Sequence, residues 1–164
     1  MKALVWIANV LGFPVIHIVV GRTMLSLPAS LFAQDCWLTR EYRWECGGML
    51  YRNRFGVHRW KKRLPDGAPW LGGMAKKRIA TRRPEYLESF VVQTHRAEAA
   101  HWCMLLCTPL FFLWNPLWAC FVMTFYGVAA NVPCILAQRA NRIQLRRVLM
   151  RKTRAGQSGC AKPS

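Results

Sequence analysis

At 164 residues the chain has room for one domain, and 53% of it is hydrophobic. Against that stand 24 Lys and Arg and 7 Asp and Glu, a formal charge of +17, which no ordinary water-soluble globule combines with so much apolar sequence. The pairing points to an anionic partner, either nucleic acid or the phosphate layer of a bilayer.

The first element is the run "ALVWIANVLGFPVIHIVV", Ala3 to Val20. It has about the 20 residues that a helix needs to cross a bilayer. Pro14 and His17 weaken it. Its thin basic flank, with Lys2 alone, and the poor cleavage pattern near Ala33 favour an uncleaved anchor, covering residues 3–34, over a signal peptide. Residues 35–100 carry every acidic residue, from Asp35 to Glu98, and a dense set of Arg and Lys. They read as a basic interfacial segment. Within it Val57, Trp60 and Leu64 take helical spacing among Arg59, Lys61, Lys62 and Arg63, as suits a headgroup layer, and Pro65-Asp66-Gly67 ends that turn.

Pro84 opens a helix over about residues 84–102, since proline is tolerated in a first helical turn. Apolar sequence then resumes over 102–137, broken at Trp114-Asn115-Pro116, where Asn-Pro signals a turn. The two runs read as a hairpin whose first arm is short for a full span. Residues 139–164 form a basic tail whose end, "RAGQSGCAKPS", reads as disordered. The fold class expected is all-α, a small integral membrane protein forming a single membrane domain over 1–164. The positive-inside rule sets both basic segments in the cytoplasm, so the protein is a multi-pass protein of the inner, cytoplasmic membrane. The seven cysteines lie mostly in apolar context, at Cys103, Cys107, Cys120 and Cys134, where the thiol behaves as a small hydrophobe. With no CxxC spacing, neither a disulfide framework nor a metal site is expected.

Two stretches could carry chemistry. At 100° per residue Leu87, Phe90, Val91, Thr94, Glu98 and His101 share one stripe of the helix that begins at Pro84, whereas Ser89, Gln93, Arg96 and Ala100 turn away. His95 falls at the margin and reads as a surface residue. Glu98 and His101, three apart, are helical neighbours, so the carboxylate could orient the ring as in a general-base pair. The plain alternative is that both satisfy buried groups where the helix enters the membrane. The second stretch is "NVPCILAQRANR", in which Asn131, Cys134, Ile135, Gln138 and Arg142 share a face with Asn141 on its flank. It reads as a polar cleft facing the Glu98/His101 stripe, with Arg139 or Arg142 gripping a phosphate, or else as glue between helices. Trp60, Lys61 and Lys62 join the candidate binding residues, and His58 is a lesser candidate for proton transfer.

Together "FGVHRWKKRLPDG", "AKKRI", "THRAEAAHW", "FFLWNPLW" and "NVPCILAQRANR" resemble the glycosyl-4,4'-diaponeurosporenoate acyltransferase family of staphyloxanthin-type carotenoid synthesis. The resemblance runs in order from Tyr51 to Arg146. Gln93, His95 and Ala140 stand where the family pattern has Glu, Arg and Tyr. It implies an enzyme that esterifies a sugar hydroxyl of a glycosylated carotenoid with a fatty acyl group.

The leading expectation is therefore acyl transfer at the membrane face, with His101 as base and Glu98 behind it. Arg139, Arg142, Lys61 and Lys62 would take the phosphates of an acyl thioester donor, of which acyl-CoA is one form, and no cofactor beyond the donor is implied. The partners expected are a lipid or glycolipid substrate and anionic membrane lipids. The competing expectation is a non-enzymatic scaffold that binds anionic lipid or assembles a complex with other biosynthetic enzymes. Nucleic-acid binding would explain the charge but not the apolar runs, so no nucleic acid is expected.

Overall fold

A computed structural model describes residues 2–64 and 83–160 of the chain, with the side chains of 155–160 left aside. The expected turn at Pro65-Asp66-Gly67 and the "AKKRI" stretch lie outside the described residues. Five α-helices are present among these residues, and no strand: α1 (Lys2–Ser26), α2 (Met49–Asn53), α3 (Val57–Trp60), α4 (Pro84–Leu106) and α5 (Leu117–Cys160). Short 3-10 turns at Ala29–Phe32, Arg43–Gly48, Lys61–Arg63 and Thr108–Leu113 join them. The protein is all-helical, as the sequence predicts.

α1 and the first part of α5 are both long and apolar enough to cross a membrane. Their side chains say the same: Leu4 is 72% exposed, Trp6 68%, Phe121 66% and Phe125 76%. A surface this apolar has no stable place in water, and bilayer tails are the solvent that suits it. The protein is a membrane protein. Within α1, His17 is absorbed locally, its Nδ1 lying 2.8 Å from the Phe13 carbonyl one turn back.

α4 and α5 pack antiparallel and form the spine. Leu87, Phe90 and Val91 of α4 close against Leu145 of α5, with Val148 and Leu149 beside them. Each fully buried Leu or Phe contributes about 1.5–3 kcal/mol from leaving water. On the other side of α5, Tyr51 and Val57 from α2 and α3 bury against Ala137 and Ile143, and Trp60 and Leu64 pack over them. This seats the short basic helices on the charged half of α5.

The first arm of the expected hairpin is not a helix of its own. α4 continues to Leu106, and a 3-10 segment, Thr108–Leu113, completes the run before the chain reverses at Trp114–Pro116. Two contacts tie its depth to α1: Arg96 Nη2 donates to the Leu27 carbonyl at 3.0 Å, and Asn9 Nδ2 donates to Asn115 Oδ1 at 2.8 Å. From Asn9 to Leu27 a helix rises about 27 Å at 1.5 Å per residue, close to the thickness of a bilayer core. Residues 96–115 run alongside that length of α1. Phe13 of α1 stacks on Phe111 at 4.6 Å between ring centres and meets Tyr126 of α5, tilted, at the same distance.

The tail departs from expectation. α5 runs to Cys160, so Arg154–Cys160, read as part of a disordered end, are helical. Once a helix is nucleated and packed, each added residue gains a hydrogen bond at little cost.

Candidate active site

The α4–α5 interface changes from apolar to polar as it approaches the membrane. Three rungs follow one another. At the first, His95 of α4 meets Arg146 of α5 and Asp35 of the preceding loop: Arg146 Nη2 lies 3.2 Å from His95 Nε2, and the same guanidinium grips Asp35 at 2.8 and 2.6 Å. His95 is 2% exposed, which corrects its reading as a surface residue. The stripe count erred because α4 is covered on two flanks, by α5 and by the 35–48 loop. Burial, with Arg142 and Arg146 adding to it against Asp35, pulls the His95 pKa down to about 4. The ring is neutral at physiological pH, its Nε2 lying between the Arg146 guanidinium and the Asp35 carboxylate, the latter 3.3 Å away.

The second rung is a buried ion cluster. Glu98, wholly buried, pairs with Arg139 at 3.2 Å through Oε1 and with Arg142 at 2.6 Å through Oε2. Arg139 also donates from Nε to Glu45 at 2.9 Å and from its terminal nitrogens to the Leu38 and Arg40 carbonyls at 3.0 and 2.8 Å. Arg142 Nη2 donates to the Thr39 carbonyl at 2.6 Å. Glu45 is held in turn by the Tyr51 hydroxyl and by the Tyr42 backbone N–H at 2.6 Å. The loop can come this close because Cys46, Gly47 and Gly48 all turn left-handed, and a Cβ on Gly47 would stand 1.8 Å from the Arg147 guanidinium. Both guanidiniums thus face protein groups from buried positions, Arg142 Nη1 approaching Glu98 as an ion pair without a hydrogen bond of its own. Neither offers the open fork that gripping a phosphate requires, contrary to the role expected of Arg139 and Arg142.

The third rung is His101 with Asn131. His101 Nδ1 lies 3.0 Å from Asn131 Oδ1, while Asn131 Nδ2 donates to the Gly127 carbonyl at 2.9 Å. The carbonyl fixes which way the amide faces, so an oxygen acceptor meets the ring. Nδ1 therefore carries the proton, and Nε2 carries the basic lone pair. This amide is a contact that orients His101, while the Glu98 carboxylate engages two arginines. By helix rise His101 lies about 8 Å from the level of Arg96, toward the apolar end of α4.

The remaining candidates divide. Gln138, two turns along α5 from Asn131, has a buried Oε1 with no hydrogen-bond partner among the described residues. Lys61 Nζ donates to Asn141 Oδ1 at 2.8 Å, which brings together two residues expected to bind substrate and anchors the 3-10 turn to α5. Trp60 gives its indole N–H to the Phe55 carbonyl at 2.8 Å, and Lys62 is exposed. Sequence reasoning missed Glu45, Tyr51 and Asp35. The available signal was scarcity: with 24 bases and 7 acids, each buried acid is bound to be claimed by an arginine.

A family described as glycosyl-4,4'-diaponeurosporenoate acyltransferase matches residues 34–151, which takes in the loop, the three rungs and the charged half of α5. The chain belongs to that family. Relatives of that name include one from Staphylococcus haemolyticus, 27% identical over 90% of this chain and 86% of its own, and one from Staphylococcus aureus strain Newman, 28% identical over 84% and 86%. No solved structure matches. Membership makes the chain an enzyme of the acyltransferase class.

Proposed function

We propose that this acyltransferase esterifies a sugar hydroxyl of a membrane-embedded acceptor at the cytoplasmic face of the cell membrane, with His101 as general base. The observation that carries the reading is the His101–Asn131 pair, 3.0 Å apart where the polar rungs of the α4–α5 interface give way to apolar sequence. A polar head on an apolar acceptor comes to rest at that depth. His101 Nε2 takes the hydroxyl proton as the oxygen attacks the acyl carbonyl of a thioester, and the imidazolium returns the proton to the departing thiolate. Asn131 holds the ring in the tautomer this step needs. Glu98 contributes differently from the sequence expectation, by locking the α4–α5 register through Arg139 and Arg142. Gln138 Oε1 is an acceptor for a further hydroxyl of the same sugar.

The relatives are named for a glycosylated carotenoid acid, and we infer an acceptor of that class, a sugar on a long apolar chain, for this protein. The exposed apolar sides of α1 and α5 suit such a chain. With the basic 35–95 segment and the charged half of α5 in the cytoplasm, the N-terminus and the Trp114–Pro116 turn face outward, as the positive-inside rule asks.

Mass spectrometry of lipid extracts from cells with and without the gene tests this reading. A new acyl-sugar lipid in the gene's presence is expected. An unchanged lipid profile would favour a membrane scaffold, for which the +17 charge is the supporting observation.

A further inference from the structure

With Arg139 and Arg142 committed to the buried cluster, the donor's charged head needs other cations. α2, α3 and the turn between them enclose a groove of about 670 Å³. Arg52, Arg54 and Arg59 line it, with His58 at its edge and Phe55 and Trp60 as its aromatic walls. All three arginines are exposed, and among the described residues none pairs with a carboxylate. The buried acids nearby, Glu45 and Glu98, are taken by arginines of α5.

We infer that this groove is a phosphate-binding site. Three planar forks facing one concavity suit a multiply charged phosphate better than a single carboxylate, which one fork satisfies. The groove is also built rather than incidental. The helices that carry it are held to α5 by Tyr51 and Val57 packed against Ala137 and Ile143, and its wall is fixed by the Trp60 indole bond to the Phe55 carbonyl.

Its position is informative. The groove's supporting turn is tied to Asn141, ten residues beyond Asn131 on the same helix, or about 15 Å at 1.5 Å per residue. The groove thus lies on the charged side of α5, beyond the level of His101. Two sources supply that chemistry: the phosphoanhydride head of a soluble acyl thioester, or the headgroup of an anionic phospholipid. Assigning the groove to the donor rests on the acyl-transfer reading above. The phosphate site itself does not.

Binding is measured on the full chain in neutral detergent with inorganic pyrophosphate by calorimetry, and in nanodiscs by retention of phosphatidylglycerol over phosphatidylcholine. The groove variant R52Q/R54Q/R59Q is compared with R22Q/R43Q/R151Q, which removes the same charge elsewhere on the exposed surface. A loss of about tenfold or more in the groove variant, beyond that of the control, is expected in at least one arm. Loss in the pyrophosphate arm identifies a soluble phosphate, and loss in the nanodisc arm alone identifies a lipid headgroup. Equal binding by the two variants in both arms overturns the site. H101A, which abolishes turnover on the reading above, leaves this binding unchanged, so the two claims fail separately.

Discussion

Replacing Glu98 by Gln tests the buried cluster, because it removes the charge and keeps the shape. Arg142, 2% exposed, would retain the Thr39 carbonyl but lose a carboxylate at 2.6 Å. At that separation, with an effective dielectric constant of about 20, the lost attraction is about 6 kcal/mol. Part of this is offset because a buried carboxylate no longer has to be desolvated, so the net cost is about 3–5 kcal/mol, the range for orphaning one member of a buried pair. Arg139 suffers less, since Glu45 and two carbonyls still hold it. Adding Arg142→Met removes the orphaned cation and is expected to return stability to within about 1–2 kcal/mol of the native protein. The assay is denaturant unfolding in detergent, followed by circular dichroism. A Glu98→Gln protein within about 1 kcal/mol of native would refute the claim that this carboxylate locks α4 to α5.

Asn131→Ala removes the acceptor that orients His101 and is expected to lower kcat about tenfold or more while KM changes little, read by steady-state acyl transfer. The His95 pKa of about 4 gives a pH dependence of known sign. Because the folded protein resists protonating this ring and an opened chain does not, the stability it contributes is present above about pH 6.5 and is lost as pH falls toward 4, by about 3 kcal/mol in all. His95→Gln should flatten that slope in unfolding measured between pH 7 and 4. At Gly12, a Cβ would stand 2.7 Å from the Phe111 ring, so Gly12→Ala should loosen α1 from the Thr108–Leu113 segment at a cost of about 1–3 kcal/mol, seen as faster proteolysis of α1.

Much of the spine was legible because α4 is a long amphipathic helix. Counting by 100° selected Leu87, Phe90, Val91, Thr94 and Glu98, all buried, and set Asn131 and Arg142 on the face of α5 that meets them. What periodicity could not supply was the second layer. Asp35 and Glu45 reach arginines about a hundred residues away, and pairing at that separation leaves no local pattern. Three backbone carbonyls of the 38–40 loop accept from Arg139 and Arg142, and carbonyls are invisible in a sequence. That is why Arg139 and Arg142 looked open to a ligand, and why His95 looked exposed. The first hairpin arm was obscure for another reason: a 3-10 segment such as "TPLFFL" has neither helical nor strand period.

The central claim is that His101 carries the proton in acyl transfer. Turnover of His101→Ala protein in membranes supplied with a glycosylated lipid acceptor and an acyl thioester measures it most directly. A fall of about 100-fold or more, with insertion and unfolding stability unchanged, is the predicted result. Full turnover by the inserted His101→Ala protein would contradict it.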